Sequence, residues 1–200
     1  MPERPSDLQE FLDLTGDGLA QWVPPSNPAA AVAQRIHAAL QQPRPLDGAT
    51  VPSRLSACSH LATAVANARR GAPAVGALAE AFQALAPRLT WTRRPGSAAI
   101  DDDFRDNHAN ALIAGPGGVE PRDDVSVGVT LMAPDTRYPD HHHPPEEVYL
   151  VLSPGEWRQG DGPWHAPGPG GIVHNTPDII HAMRSGAAPV LAVWCLWTKE

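Results

Sequence analysis

Apolar positions in the first ninety residues recur with the spacing of helices. The clearest series is Val75, Leu78, Phe82 and Leu85. Its steps of three and four residues predict a helix with one buried face. A second series, from Val32 to Leu40, repeats every four residues until Pro43 ends it, and two further helices are predicted over 6–16 and 53–71. This part of the chain therefore predicts a helical lobe.

After Trp91 the pattern changes to short apolar or alternating runs separated by clusters of glycine, proline and aspartate. Such runs are typical of the strands of an antiparallel β domain. The candidate strands cover 109–113, 125–131, 147–152, 171–175, 181–184 and 190–198, with a short piece near Trp164. Many short strands between tight turns indicate a sandwich or a barrel, and barrel interiors accommodate binding sites. We therefore predict a mostly β domain over 96–200, preceded by the helical lobe over 1–95.

Charge is distributed unevenly along the 200 residues, whose formal net charge is −7. Residues 1–95 carry nine arginines and seven acidic residues, whereas 96–200 carry six basic and fifteen acidic residues. An acidic β domain argues against nucleic acid as a partner, because phosphate binding needs a basic surface. The chain has two cysteines, no apolar run of about 18 residues and no signal-peptide pattern. We expect a cytoplasmic protein without a membrane partner, and homodimerisation stays open.

One segment, 138–149, combines three histidines, two adjacent glutamates and both tyrosines of the chain. Four of its residues share odd parity: His141, His143, Glu147 and Tyr149. Alternate side chains on an extended strand point to the same face, so these four are expected to meet. Imidazole and carboxylate groups together bind borderline first-row divalent metals. The sequence therefore predicts a metal site, closed across the fold by the distant His181.

Two motifs resemble those of the cupin superfamily. The run His141-x-His143-x3-Glu147 resembles the first cupin metal motif, and the run 177–181, Pro-Asp-Ile-Ile-His, resembles the second. The second motif departs from the usual pattern, since Ile179 stands where cupins usually carry glycine. The resemblance implies a cupin β-barrel, which is an antiparallel double-stranded β-helix, with a metal site between neighbouring strands.

A narrower resemblance is to the cupin-type dimethylsulfoniopropionate lyases. It is carried by the segment 138–157, together with the helical lobe and the cupin-like end of the chain. That family cleaves dimethylsulfoniopropionate (DMSP) to dimethyl sulfide and acrylate. The resemblance implies three metal ligands: His143, Glu147 and His181. It also places His141 at the general cupin ligand position, makes Tyr149 a further ligand or the base, and makes Tyr138 a catalytic residue.

This elimination requires a strong base and a stabiliser of negative charge. A proton α to a carboxylate is weakly acidic, and a metal bound to that carboxylate stabilises the charge that develops. Tyrosinate is a suitable base because its reference pKa is about 10, and a nearby divalent cation lowers that value. Aromatic faces, such as those of the six tryptophans, attract a sulfonium. The expected cofactor is one divalent transition metal, since iron, manganese, zinc, cobalt and nickel all accept these ligands.

Two other functions fit the same motifs. An iron dioxygenase or an isomerase of a small carboxylate would use the same histidine and carboxylate ligands. A cupin effector-binding sensor would bind DNA through the helical lobe, but the lobe lacks a basic face and its only arginine doublets are at 69–70 and 93–94. The leading prediction is a metal-dependent carbon–sulfur lyase acting on a small sulfonium carboxylate.

Polar residues near the motifs receive lesser roles. Glu146 has the opposite strand parity to Glu147 and is expected to point outward. His174 is expected to share a face with His181 unless a bulge intervenes, and His108 is expected at the surface. The helical lobe carries a clear apolar stripe but no paired polar groups. We therefore expect it to cover the mouth of the barrel and to exclude water rather than to supply ligands.

Overall fold

The computed structural model describes residues 3–46, 51–95 and 102–199. The first part contains α1 (Ser6–Gln21), α2 (Ala30–Leu40), α3 (Leu61–Ala68) and α4 (Pro73–Leu85), with 3-10 turns at Ser56–His60 and Ala86–Arg88. Strand β1 (Trp91–Thr92) follows, and a short helix, α5 (Asp102–Asn107), leads into the remaining strands. These are β2 (His108–Ala114), β3 (Val125–Met132), β4 (Arg137–His141), β5 (Glu146–Val151), β6 (Glu156–Gln159), β7 (Ile172–Asn175), β8 (His181–Arg184) and β9 (Val190–Trp197).

Two helices differ from their predicted bounds. α1 continues past Gly16, because its glycines contact neighbouring elements instead of ending the helix. A Cβ atom on Gly18 would lie 2.9 Å from Cδ1 of Leu150, so glycine allows the helix to approach the sheet closely. The helix predicted over 53–71 is shorter, since a 3-10 turn precedes α3. Within the described ranges, each helix is too short or too polar to cross a membrane.

The strands form two antiparallel sheets. The larger has the order β1-β2-β3-β9-β5-β7 and the smaller has the order β4-β8-β6. The prediction of a mostly β cupin fold with N-terminal helices is confirmed. β4 and β6 fall outside the predicted strands because each is short and contains few apolar residues. The strand predicted near Trp164 is wrong, since that region contributes only an isolated bridge between Trp157 and His165.

The chain enters the larger sheet before residue 96. Trp91 and Thr92 of β1 pair with Ala111 and Asn110 of β2. The helices and the larger sheet also share one continuous cluster of buried apolar residues. The division into 1–95 and 96–200 stays a prediction, and in the described residues the helices and this sheet pack into a common core.

The larger sheet is buried on both faces. Its outer face packs against the helices through residues such as Val129, Leu150 and Val193. Its inner face, which includes Tyr149 and Val151, lies against the smaller sheet. The expectation that the helices cover the mouth of the barrel is therefore wrong. They cover the back of the larger sheet, because that face is also apolar and burying it is favourable.

A network of buried charges joins the N-terminal segment, α2 and the approach to β3. Arg4 donates a hydrogen bond to Glu120 at 2.9 Å, and Arg122 donates to Glu120 at 2.8 Å and to Asp124 at 2.7 Å. Both guanidinium groups also donate to carbonyls at the C-terminal end of α2, at 2.8 and 2.7 Å. Cations are favourable at this end of a helix. The buried charges are thus paired and hydrogen-bonded, which offsets their desolvation.

Replacing Leu150 with alanine should lower the free energy of unfolding by about 2–5 kcal/mol, because this fully buried side chain packs between sheet and helices. Val51→Ala is the control, since the Val51 side chain is exposed and its truncation should cost less than about 0.5 kcal/mol. Chemical denaturation followed by circular dichroism measures both. Equal effects of the two substitutions would contradict the packing at Leu150.

Candidate metal centre

Two histidines and one glutamate converge inside the barrel. Glu147 lies on β5, His181 begins β8, and His143 lies in the turn between β4 and β5. Nε2 of His143 lies 3.3 Å from Oε2 of Glu147, and Nε2 of His181 lies 3.4 Å from the same oxygen. One ligand atom from each residue lies within 4.8 Å of the other two. This spacing is compatible with one metal ion that contacts all three.

Backbone carbonyls orient the two histidine rings. Nδ1 of His143 bonds to the carbonyl of Pro145 at 2.9 Å, and Nδ1 of His181 bonds to that of Ile179 at 2.9 Å. Each Nδ1 therefore carries a proton, which directs the free Nε2 of a neutral ring towards Glu147. Both Nε2 atoms are buried and lack a hydrogen-bond partner among the described residues. In a neutral ring this nitrogen directs a lone pair at a carboxylate oxygen, a contact that becomes favourable when a proton or a metal ion lies between the two atoms, so the site fits a metal ion.

The three groups shift one another's pKa values. Burial acts to raise the pKa of Glu147, but His143 and His181 outweigh it and hold that pKa below its ordinary value. Burial acts to lower the pKa of His143, whereas the adjacent Glu147 raises it above its ordinary value. For His181 burial dominates, so its pKa is lowered. The lowered pKa favours the ionised form of Glu147, which is the form in which a carboxylate binds a metal.

Asn175 holds the Glu147 carboxylate in place. The two residues are directly opposite in the pairing of β5 with β7, and the Asn175 amide donates to Oε2 of Glu147 at 2.7 Å. Gln159 in turn donates to the amide oxygen of Asn175 at 2.9 Å. Asn175 is fully buried. The sequence alone does not indicate Asn175 as a site residue, because its contact with Glu147 is fixed by the register of two strands that are distant in the chain.

His141 lies beside the cluster. Its ring centre is 4.1 Å from that of His181 and 6.3 Å from that of His143. Burial and the neighbouring His181 lower its pKa to about 3, so the ring is neutral. In the described part of the chain, its nitrogens are not among the ligand atoms that lie within 4.8 Å of one another. The role of His141 as a ligand stays a prediction.

Both tyrosines are buried beside the cluster. The Tyr138 hydroxyl accepts a hydrogen bond from the Asn110 amide at 3.5 Å, and Asn110 accepts one from Thr130 at 2.6 Å. Burial raises the pKa of Tyr138 to about 12. Burial also raises the pKa of Tyr149, and the negative charge of Glu147 adds to that rise. A cation bound at Glu147 would oppose the rise caused by the Glu147 charge. The pKa of Tyr149 should therefore depend more strongly on a bound metal ion than the pKa of Tyr138 does.

A pocket of about 340 Å³ opens beside the cluster and the two tyrosines. Trp194 forms one of its walls, and Gly128 on β3 leaves room for that indole. A Cβ atom at Gly128 would lie 2.2 Å from Cζ2 of Trp194. Trp157 is buried against Tyr149, with ring centres 6.2 Å apart, whereas Trp164 packs against arginine side chains. The structure thus assigns Trp194 to the pocket and Trp157 to the support of Tyr149.

Two histidines differ from their expected positions, while Glu146 follows its strand parity. His174 does not share a face with His181, because it bonds to Glu146 at 2.8 Å on the other side of β5 and β7. The expectation that His108 lies at the surface is wrong. Its ring is fully buried and stacks on Phe104, with ring centres 3.8 Å apart. The reason is that α5 covers the start of β2, which the local sequence does not indicate.

The fold is a cupin-like β-barrel, and the cluster inside it is a candidate site for one metal ion. A family model for dimethylsulfoniopropionate lyases matches residues 28–192, and the chain belongs to this family. It is 31% identical over 141 residues to the putative dimethylsulfoniopropionate lyase DddL of Cereibacter sphaeroides, and this alignment covers 70% of this chain and 58% of that protein. It is 30% identical over 128 residues to the dimethylsulfoniopropionate lyase DddQ of Ruegeria pomeroyi, and this alignment covers 64% of this chain and 63% of that protein. The aligned part is thus less than two thirds of either relative.

Solved structures show the same fold. A chain from the crystal structures of the DMSP lyases RdDddP and RnDddQII gives a TM-score of 0.73 at 22% identity, covering 96% of this chain and 92% of that one. The crystal structure of DMSP lyase DddQ from Ruegeria pomeroyi DSS-3 gives a TM-score of 0.65 at 24% identity, covering 90% and 91%. The likeness extends over the helices as well as the barrel.

Alanine at His143, Glu147 or His181 should lower metal affinity by at least about 10-fold, since each substitution removes a candidate ligand. If His143, Glu147 and His181 are the ligands, as the lyase resemblance implies, His141→Ala should have the mildest effect. If His141 is also a ligand, as in the general cupin pattern, its loss should lower metal affinity by a comparable factor. Metal analysis after loading and dialysis, with circular dichroism to check the fold, measures both. His142→Ala is the control, because that side chain is exposed. Full metal retention in the first three variants would refute the site.

Proposed function

We propose that this protein is a metal-dependent lyase that cleaves dimethylsulfoniopropionate to dimethyl sulfide and acrylate, with a tyrosine as the base. The observation that carries the proposal is the position of Tyr138 and Tyr149, which line one pocket with His143 and Glu147. Membership of the lyase family supports this substrate class, and the two aligned relatives are named for the same substrate.

His143, Glu147 and His181 would hold the metal ion, because their side chains carry the converging donor atoms. When bound, a divalent transition metal polarises the substrate carboxylate and stabilises the negative charge that develops beside it. Asn175 keeps the glutamate oriented. Imidazole and carboxylate donors accept iron, manganese, zinc, cobalt or nickel, so loading with each metal in turn identifies the active form.

Tyr138 and Tyr149 are the candidate bases. A phenolate oxygen takes the proton from the carbon next to the carboxylate, and that electron pair forms the double bond of acrylate as the carbon–sulfur bond breaks. The sulfur departs as neutral dimethyl sulfide, so the leaving group needs no acid. The Asn110 amide donates to the Tyr138 oxygen, and such a bond favours the phenolate. Burial then makes the phenolate a stronger base than it would be in water.

The pocket also suits the cationic end of the substrate. Tyr138, Tyr149 and Trp194 line it, and aromatic faces attract a sulfonium as they attract an ammonium. Leu112 and Leu196 line the same pocket and add apolar surface to it. The arrangement therefore offers aromatic surface to the sulfonium and polar groups to the carboxylate.

Detection of dimethyl sulfide in the headspace tests the proposed reaction. Metal-loaded protein is mixed with dimethylsulfoniopropionate in air and under argon, and acrylate is measured in the same vessel. We expect equal amounts of both products under the two atmospheres, because the elimination consumes no oxidant. A requirement for oxygen would favour the alternative of a dioxygenase, and the absence of both products would overturn the proposal.

Tyr138→Phe should lower kcat by about 10²–10⁴-fold, because it removes a candidate base while it keeps the aromatic ring. Tyr149→Phe should have a similar effect, with some loss of metal if its oxygen is a ligand. Burial places the pKa of Tyr138 at about 12 and that of Tyr149 above its ordinary value. The active form is the deprotonated one, so kcat should rise as the pH is raised into the alkaline range. If both variants stay within a few-fold of the parent, a tyrosine is not the base.

A further inference from the structure

Arg94 brings a positive charge to the pocket beside the metal cluster. It follows β1, is half-buried, and lines the same pocket as Tyr138, His143 and Glu147. Its backbone is hydrogen-bonded, but its guanidinium has no hydrogen bond or ion pair with any residue that the structure describes. Charged side chains that are partly withdrawn from water are usually paired. A guanidinium that lines a pocket and has no partner among the described residues therefore points to an anionic ligand.

The neighbouring Arg93 provides a contrast. Its guanidinium donates to the carbonyl of Arg105 at 2.8 Å and to the carboxylate of Asp106 at 3.1 Å. Its charge is therefore already engaged outside the pocket. Arg93 and Arg94 are the two arginines among the described lining residues, and these include no lysine. Arg94 is thus the permanent cation that remains available to a ligand.

A buried histidine fixes the backbone of Arg94. The Arg94 N–H donates to Nε2 of His108 at 2.9 Å, and Nδ1 of His108 donates to the carbonyl of Phe104. Only the neutral tautomer with its proton on Nδ1 makes both bonds. Burial lowers the pKa of His108, which keeps the ring in that neutral form. His108 is therefore a positioning residue for Arg94.

Arg94 and the two tyrosines line the same pocket. Trp194 lies on β9, two strands away from β2 in the larger sheet. The pocket thus has a cationic side near β1 and an aromatic wall farther along the sheet.

We propose that Arg94 binds the carboxylate of the substrate and so sets the direction in which a sulfonium carboxylate lies in the pocket. This inference rests on the proposed function. A guanidinium pairs with a carboxylate through two parallel hydrogen bonds. The same charge repels the sulfonium and directs it towards the aromatic wall at Trp194. Arg94 therefore makes the site selective for acids over the corresponding neutral amides.

Calorimetric titration with acrylate tests carboxylate binding without turnover. In the metal-loaded protein, Arg94→Gln should weaken acrylate binding by about 10- to 100-fold, since it removes a charged hydrogen-bonding partner. The KM for dimethylsulfoniopropionate should rise by a similar factor, with a smaller fall in kcat. Arg94→Lys should recover part of the loss, because it restores the charge but not the planar fork. Binding of neutral acrylamide should be the same in the parent and in Arg94→Gln.

Arg93→Gln is the matched control, because it removes an adjacent arginine whose charge is already paired. It should change acrylate affinity by less than about 3-fold, as expected for an exposed pair. Equal losses in Arg93→Gln and Arg94→Gln would overturn the inference, and so would an unchanged acrylate affinity in Arg94→Gln. A fall of several degrees in the Tm of Arg94→Gln would also overturn it, since the side chain would then be structural.

Failure of the proposed function has a different signature. If the parent binds acrylate but releases no dimethyl sulfide, the proposed function is wrong, while the titration still decides the role of Arg94. If the parent releases dimethyl sulfide and Arg94→Gln binds acrylate as tightly as the parent, only the inference is wrong. A parent that does not bind acrylate at all would also refute the inference.

Discussion

Burial of the larger sheet on both faces is the constraint on which the rest of the structure depends. In β5, Val148 and Leu150 pack against the helices, while Glu147 and Tyr149 face the interior of the barrel. A shift of one residue in register would exchange these two sets and place the carboxylate among apolar side chains. The packing that stabilises the fold therefore also aligns the candidate ligands. The helices contribute to the site indirectly, since they bury the face of the sheet that carries no ligands.

The interior of the barrel contains several polar groups, and burying such a group is unfavourable unless it has a partner. Glu147 has Asn175 and two histidines around it, but Nε2 of His143 and of His181 lacks a hydrogen-bond partner among the described residues. A bound cation would satisfy these nitrogens and the carboxylate together. The same burial raises the pKa values of the tyrosines. Ionising such a group is unfavourable without a nearby cation, so a metal ion bound at Glu147 would favour the ionised form of the tyrosines.

Among the described residues, those that follow β1 line the pocket, whereas those of α1 to α4 do not. Arg93 and Arg94 line the pocket, and the segment is anchored by the bond from Arg94 to His108. The buried network of Arg4 and Glu120 acts elsewhere, where it joins the N-terminal segment to the approach to β3. Stability of the helical layer and recognition at the pocket are therefore carried by different residues, which substitutions can separate.

The sequence by itself determined the mostly β class of the fold, the N-terminal helices and the candidate metal ligands. Strand parity and helical spacing are local properties, so the common face of the candidate site residues between His141 and Tyr149 could be predicted without a structure. Only the tertiary structure decided which surface the helices cover, because an apolar stripe on a helix does not indicate the surface against which it packs. It also decided the burial of His108 and the pairing of Asn175 with Glu147, because these contacts join segments that are distant in the chain. The tertiary structure also decided that the Arg94 guanidinium has no partner among the described residues, because this depends on where every neighbouring segment folds.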